Sequence, residues 1–349
     1  MQLNKSNNIA WINNLRVLAT ICVVFIHVSS PLLYRFKGKP DLNWWIGNIY
    51  DGTVRFCVPV FIMITGSLML SKDYALNEFI KIKMMRIIIP FIFWSTIYLA
   101  YGLISKFFNE GYLTFSSILE YSLNSFVFGS SYHLWYIYMI IGIYLFIPII
   151  SKWTKNCSEN QILYFLFIWV ISIIISQPSI QAYMPKFNLT YFSGFIGYLI
   201  LGYYLSIKKL NEFKNINYFS LFLFLIGNAI TIYGTYLLSS NKGHFVGDLY
   251  RYLTLNVLMS SVGVFVFFKQ VNTTNNKTIA LISSLISRFS FGIYLVHVLV
   301  LMLLNKIGMS GNFINPVIGI PVTTIICLII SVFIINVLDK LSFSKYIIG

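Results

Sequence analysis

The chain has 349 residues, of which 58% are hydrophobic and only 10% are charged, and its mean hydropathy is +0.77. Soluble domains carry about 25% charged residues, so this composition excludes an ordinary soluble protein and predicts a polytopic membrane protein. The formal net charge of +15 does not indicate a nucleic-acid partner, because the Lys and Arg residues lie in short connections beside apolar segments rather than in one patch.

Apolar windows long enough to cross a bilayer of roughly 30 Å occur about ten times along the sequence. They lie at 10–30, 52–70, 87–105, 133–151, 161–177, 190–207, 217–238, 251–268, 284–304 and 314–337. Almost no sequence is left over for a soluble domain. We therefore expect an all-α integral membrane protein, a bundle of about ten transmembrane helices that forms one domain over residues 1–349.

The distribution of basic residues predicts the orientation of this bundle, because cytoplasmic loops are enriched in Lys and Arg. With the N-terminus inside, 14 basic residues fall in cytoplasmic connections and 8 on the opposite side. The opposite set is Arg35, Lys37, Lys39, Lys106, Lys186, Lys242, Arg251 and Lys306. The bias predicts that both termini are cytoplasmic, although the basic cluster from Arg35 to Lys39 opposes it.

The first apolar window could be mistaken for a secretory signal, but two polar residues inside it and nine further windows favour a retained helix. The four cysteines show no close CxxC spacing, and three of them lie in apolar windows. We therefore expect neither disulfides nor a metal site.

Those two polar residues are Arg16 and His27, which lie eleven positions apart. At 100° per residue they project from nearly the same helix face, and a rise of 1.5 Å per residue separates them by roughly 16 Å along the axis. Because charged and titratable side chains are costly in hydrocarbon, this stripe is expected to face a protein cavity and is the first candidate for an active site. The alternative is that Arg16 reaches the inner interface while His27 only donates a hydrogen bond to a carbonyl.

The second window contains Arg55, Pro59 and Gly66. Pro59 frees a backbone carbonyl and Gly66 permits close helix approach, which predicts a helix bent around a cavity. Asp51 lies four residues before Arg55, so an ion pair within one helix is the simplest role for both. The functional alternatives are that Asp51 orients His27 or that Arg55 neutralises an oxyanion.

Candidate binding residues lie at or just before the start of two later windows. Lys83 and Arg86 precede the third window, one helical turn apart. Such residues are ordinarily positive-inside anchors, but a pair at this spacing can also hold the phosphates of a cytosolic cofactor. His133 and Trp135 open the fourth window in an aromatic run that is typical of a membrane interface.

The ninth window places Ser290, Tyr294 and His297 on one helical face. Hydrogen bonds between helices are the alternative to a functional role for all three. The residues alone leave both roles open.

Five fragments in chain order resemble acyltransferase family 3, the integral membrane acyltransferases that modify bacterial surface glycans and related acceptors. The fragments are 14–19 with His27, 58–66, 86–90 with Trp94, 133–136 with Tyr144 and Pro148, and 289–297. The resemblance implies a cytosolic acyl-CoA donor, an acceptor hydroxyl outside the membrane, and a location in the bacterial cytoplasmic membrane. It also implies the short form of the family, without the fused hydrolase-like soluble domain.

The resemblance also implies which residues of this chain correspond to the functional residues of the family. The essential His of the family corresponds to His27, and its Arg corresponds to Arg16. The donor-binding pair usually reads Arg-x-x-Arg, whereas this chain has Lys83 and Arg86, and Lys keeps the charge but loses the bidentate fork.

The residues and the resemblance together predict O-acyl transfer, with acetyl the expected group, from acyl-CoA to a hydroxyl of an envelope polysaccharide or lipid-linked sugar. The expected catalytic residues are His27, as general base, and Arg16, and Arg16 is also expected to hold the donor together with Lys83 and Arg86. Substrate-binding or supporting roles are expected for Asp51, Arg55, His133, Trp135, Ser290, Tyr294 and His297. The expected partners are the donor, the glycan acceptor and the lipid bilayer, without metal or nucleic acid.

Three other functions compete with this prediction. A transporter or flippase could use Arg16, Arg55 and His27 to line a path for an anionic glycan or a proton, although the repeated halves common in transporters are not found. A different membrane acyltransferase superfamily would use His297 instead of His27. A structural scaffold would need neither histidine.

Overall fold

The computed structural model describes residues 2–181, 194–271 and 277–349. Within these ranges the regular structure is helical and contains no strand, which confirms the predicted all-α membrane fold. The helices are α1 (Gln2–Ser29), α2 (Leu42–Thr53), α3 (Cys57–Met69), α4 (Leu76–Glu78), α5 (Met85–Glu110), α6 (Phe115–Phe128), α7 (Trp135–Asn156), α8 (Glu159–Ile175), α9 (Pro178–Gln181), α10 (Ile196–Ile207), α11 (Ile216–Lys242), α12 (Leu255–Gln270), α13 (Lys277–Lys306) and α14 (Pro316–Leu338).

Eight segments of the described chain are long and apolar enough to cross a membrane. They are Ala10–Arg35, Leu42–Met69, Leu76–Glu110, Phe115–Asn156, Ile216–Lys242, Asp248–Gln270, Ala280–Lys306 and Pro316–Leu338. The expected windows 161–177 and 190–207 correspond to the shorter helices α8 and α10, and residues 190–193 lie outside the described residues. The count of about ten spans therefore stays a prediction.

The start of α1 and the end of α14 lie on the same face of the bundle. Ser283 in α13 donates its hydroxyl to Asn14 Oδ1 in α1 at 2.8 Å. Close by in α13, Arg288 pairs with Asp339 at the end of α14 at 2.6 Å. We call this side, marked by these four residues, the termini face; that it is cytoplasmic stays a prediction from the charge bias.

Helix α1 runs from the termini face to the opposite side, where the 3₁₀ turn Ser30–Arg35 (η1) follows it. Helix α13 runs in the same direction beside α1, because Arg16 Nη1 donates to Ser287 Oγ at 3.2 Å while His27 and His297 are also neighbours. The side marked by η1 and the end of α13 is called the far face.

The second membrane segment is broken rather than smoothly bent. Residues 54–56 form a turn between α2 and α3, and Pro59 is the third residue of α3. In the first helical turn proline removes no intrahelical hydrogen bond, so Pro59 is compatible with the start of a new helix. The expected irregularity is present, and it takes the form of a break at residues 54–56.

Helices α3 and α10 are in direct backbone contact through Gly66. A Cβ atom on this residue would overlap the carbonyl oxygen of Leu199. A Cβ atom on Gly202 of α10 would likewise overlap the backbone of Met63. The close helix approach expected at Gly66 is therefore confirmed.

Candidate active site

Three histidines from three different elements meet toward the far face. His27 lies in the last turn of α1, His133 in the 3₁₀ turn Tyr132–Leu134, and His297 in α13. The ring centroids of His27 and His297 are 5.1 Å apart, those of His133 and His297 are 5.2 Å apart, and those of His27 and His133 are 6.4 Å apart. We call these three residues the histidine cluster.

Hydrogen bonds fix the two most deeply buried rings of the cluster. His297 Nδ1 lies 2.6 Å from the carbonyl oxygen of Tyr294. A carbonyl only accepts, so Nδ1 carries the proton and Nε2 carries the lone pair. His133 Nδ1 lies 3.0 Å from Ser131 Oγ. The Nε2 atoms of both rings are buried without a hydrogen-bond partner among the described residues, which is unusual and consistent with a place for a substrate group or water.

Three tyrosines surround the cluster. Tyr132 lies edge-on to His27, with ring centroids 5.2 Å apart, and Tyr98 lies 5.2 Å from His133. The Tyr98 hydroxyl is fixed, because it donates to a backbone carbonyl at 2.8 Å and accepts from a backbone N–H at 3.1 Å. The Tyr294 hydroxyl donates to the carbonyl of His133. Aromatic rings from three different elements thus surround the cluster.

His27 lines a cavity of about 340 Å³ at the far face, which we call the acceptor-side cavity. Its polar lining consists of His27, Arg35, Tyr132, Asn305, Ser310, Asn312 and Thr323. His133 and His297 are buried and do not line this cavity, so His27 is the member of the cluster that borders it.

Arg16 lines a second, narrower cavity of about 180 Å³, which we call the donor-side cavity. Its polar lining consists of Arg16, Thr65, Tyr136, Tyr144, Ser290 and Tyr294. Because α1 is helical throughout, Arg16 and His27 are separated by the roughly 16 Å expected from the sequence. Tyr294 lies between them: it borders the donor-side cavity, and its ring centroid is 5.4 Å from that of His133 and 5.7 Å from that of His297.

Asp51 and Arg55 form the expected ion pair at the break between α2 and α3, with Asp51 buried and Arg55 partly exposed. Asp51 Oδ2 also lies 3.3 Å from the hydroxyl of Ser29, two residues after His27. The structure records no contact of Asp51 with His27 itself. The pair therefore anchors the end of α1 through Ser29, and it reaches His27 only indirectly.

Arg55 and Trp135 line a third cavity, of about 520 Å³, instead of the acceptor-side cavity. Arg55 also stacks over the ring of Tyr250, 4.4 Å from its centroid. Of the expected supporting residues, the structure thus brings His133 and His297 to His27 and Tyr294 to both of these histidines, and it places Ser290 beside Arg16. Arg55 and Trp135 line a different cavity.

Lys83 and Arg86 are both exposed near the start of α5. Lys83 lies in a π-helical stretch, Phe79–Met84, an irregularity that occurs frequently at functional sites. The chain end reaches this region: a Cβ on Gly349 would lie 3.3 Å from the carbonyl oxygen of Arg86 and would also meet Phe291, which lines the donor-side cavity. The basic pair therefore lies close to the donor-side cavity, on the termini face.

Tyr98 could not be predicted as part of the site, because one tyrosine among 24 has no local signature in so aromatic a chain. Among the described residues, no group of three or more His, Cys, Asp or Glu is placed to hold a metal ion. All four cysteines are free.

Fold and site together define a multi-pass membrane protein with a histidine cluster between two cavities. The family model for the acyltransferase domain matches residues 9–336, nearly the whole chain, and the chain belongs to acyltransferase family 3. It is therefore a membrane acyltransferase, which takes an acyl group from a donor and passes it to an acceptor. Neither a curated protein nor a solved structure matches the chain.

Proposed function

We propose that the protein moves an acyl group, with acetyl the expected one, from cytosolic acyl-CoA to a hydroxyl of a bacterial envelope polysaccharide or lipid-linked sugar. The observation that supports this most is the position of the histidine cluster between two cavities on opposite sides. Tyr294 borders the donor-side cavity and His27 borders the acceptor-side cavity, while both contact His297. A donor and an acceptor could meet at this cluster from opposite faces of the membrane.

The donor side suits the shape of a coenzyme A thioester. The exposed pair Lys83 and Arg86 can hold phosphates through charge-assisted hydrogen bonds. The narrow cavity beside Arg16, with its tyrosine hydroxyls, fits a slender pantetheine arm better than it fits a nucleotide. Arg16 would then bind a carbonyl of that arm and position the thioester toward Tyr294.

The chemistry needs a base, because an alcohol is a poor nucleophile near neutral pH. His27 accepts the proton of the acceptor hydroxyl, and the oxygen forms a bond to the thioester carbonyl carbon. The carbon–sulfur bond then breaks, and the imidazolium returns the proton to the thiolate, so the products are an ester and free coenzyme A. Tyr132, which lies edge-on to His27 and makes no side-chain hydrogen bond within the described structure, is the nearest hydroxyl for the oxyanion.

The test is acetyl transfer by purified protein in lipid nanodiscs, with labelled acetyl-CoA and envelope glycan as acceptor. His27→Ala should lower transfer by about 10²–10⁴, the usual contribution of a general base. The matched control is His244→Ala, because His244 is exposed in the loop after α11 and its Nδ1 contacts only a backbone carbonyl. Normal transfer by His27→Ala would contradict the proposal.

A second measurement separates this enzyme from a transporter. Binding of acetyl-CoA to the wild-type protein is measured in the same nanodiscs without acceptor. Absence of both binding and transfer, together with glycan movement into vesicles without a donor, would favour the transporter function.

A further inference from the structure

The basic cluster after α1 is the main exception to the charge distribution of this chain. Arg35, Lys37 and Lys39 follow η1 directly, on the side that should be poor in Lys and Arg. All three residues are exposed. Topology alone does not explain three cations at this place, so a functional reason is needed.

The cluster is part of a fixed turn. The backbones of Lys37 and Lys39 form an antiparallel bridge around Gly38, whose φ of +75° is strained for residues with a Cβ. The Gly38 N–H donates to the carbonyl of Gly243 at 3.1 Å, which attaches the turn to the loop after α11. Lys242, the neighbour of Gly243, is also exposed and adds a fourth cation.

The positive charge of this turn is largely uncompensated. None of the ion pairs within the described chain involves Arg35, Lys37, Lys39 or Lys242. The nearest acidic residue in the sequence is Asp41, whose carboxylate caps α2 by accepting the backbone N–H of the third following residue at 2.7 Å. Beside these four cations, the nearest carboxylate in the sequence is thus already occupied in part by capping α2.

Arg35 also lines the cavity that contains His27. The amides of Asn305 and Asn312 line the same cavity and can bind sugar hydroxyls. An arginine presents a planar fork that matches a carboxylate or a phosphate. One space of about 340 Å³ thus combines the proposed base, hydrogen-bonding groups and a free guanidinium.

The third cavity, of about 520 Å³, has no arginine without an ion-pair partner among its described lining residues. Its two arginines, Arg55 and Arg251, are each paired with an aspartate three or four residues earlier in the chain, Asp51 and Asp248. Their charges are compensated, so this cavity offers no comparable attraction for an anion.

We infer that the acceptor-side cavity selects an anionic acceptor, a glycan that carries carboxylate or phosphate groups. Arg35 binds one anionic group in the cavity, and Lys37, Lys39 and Lys242 attract the rest of the polymer. The role of His27 in this inference rests on the proposed function, but binding of the anionic glycan does not require acyl transfer.

The experiment measures binding of two end-labelled oligosaccharides of equal length, in the absence of acyl-CoA. A hyaluronan hexasaccharide carries carboxylates, and chitohexaose is its neutral counterpart. The full chain is held in nanodiscs of uncharged phosphatidylcholine, and affinity is measured at about 50 mM and about 500 mM salt. The variants are Arg35→Gln and the matched control Arg251→Gln, which removes an exposed arginine on the third cavity.

The wild type should bind hyaluronan about tenfold more tightly than chitohexaose at low salt, from the summed effect of several exposed charges. The preference should fall below about twofold at high salt, because the Debye length shortens to a few ångströms. Arg35→Gln should lose most of the preference, and Arg251→Gln should keep it. Equal binding of the two sugars, no binding of either, or equal losses in both variants would overturn the inference.

An anionic phospholipid headgroup has the same charge chemistry and is the other source to distinguish. Native mass spectrometry counts the phosphatidylglycerol molecules retained by the wild type and by Arg35→Gln. Fewer retained lipids in the variant, together with no hyaluronan preference in the wild type, would assign the basic turn to lipid and overturn the inference. Failure of acetyl transfer alone would contradict only the proposed function.

Discussion

Replacing Gly66 with alanine tests the contact between α3 and α10 on which the donor-side cavity depends. The added methyl group would overlap the carbonyl oxygen of Leu199 and lie 2.7 Å from its carbonyl carbon. Carbon atoms in contact are normally about 3.5–4.0 Å apart, so the two helices must separate by roughly 1 Å or more. The obstacle is backbone, and no side-chain rotation can relieve it.

Overpacking of this kind costs about 1–3 kcal/mol, and a rigid backbone obstacle belongs at the upper end. Alanine recovers about 0.5–1 kcal/mol of helix propensity relative to glycine. The net destabilisation should therefore be about 2 kcal/mol, which at roughly 2.1 cal/mol/K per residue over 349 residues lowers the unfolding midpoint by about 3 °C. The neighbouring residue Thr65 lines the donor-side cavity, so acetyl-CoA binding should also weaken at temperatures where the variant is folded.

The assay is thermal unfolding in nanodiscs, followed by acetyl-CoA binding well below the midpoint. Gly142→Ala is the matched control, because this residue is also helical and a Cβ there would meet nothing within 4 Å. The control should unfold at the wild-type temperature or slightly above it. The same midpoint for Gly66→Ala and Gly142→Ala would refute the reasoning, since it would mean that α3 and α10 are not in backbone contact.

Three further predictions concern the Asp51–Arg55 ion pair, the histidine cluster and the basic residue Lys83. Asp51→Ala should cost about 1–3 kcal/mol in stability because the Arg55 guanidinium, 14% exposed, loses its ion-pair partner, and removing both charges should cost less in the same unfolding assay. His297→Ala should lower kcat less than His27→Ala does, and the reverse order in transfer kinetics would make His297 the base. Lys83→Arg should lower the KM for acetyl-CoA about threefold at unchanged kcat, because guanidinium binds phosphate bidentately; an unchanged KM would place the donor phosphates elsewhere.

Local features of the site could be predicted from the sequence because their physical cause is local. The pairing of Asp51 with Arg55 follows from a spacing of four residues on one helix. The separation of Arg16 from His27 follows from the helical rise of α1. Each polar residue in a span is itself a signal, since hydrocarbon makes its burial costly unless a protein cavity receives it.

The meeting of His27 with His133 and His297 could not be predicted in this way. These residues lie more than a hundred positions apart in the chain, and only the packing of α1, α7 and α13 brings them together. The break at residues 54–56 also carries no clear sequence signal, because Pro59 fits the first turn of a new helix as well as it fits a bend.

The layer of aromatic rings at Tyr136 and Tyr294 has a consequence for the ion permeability of the membrane. The ring centroids of these two tyrosines are 5.3 Å apart, and the donor-side and acceptor-side cavities have no described lining residue in common. Packed aromatic side chains therefore separate the two cavities. If the chain transfers acyl groups between them, as proposed, it can do so without an open water path for ions.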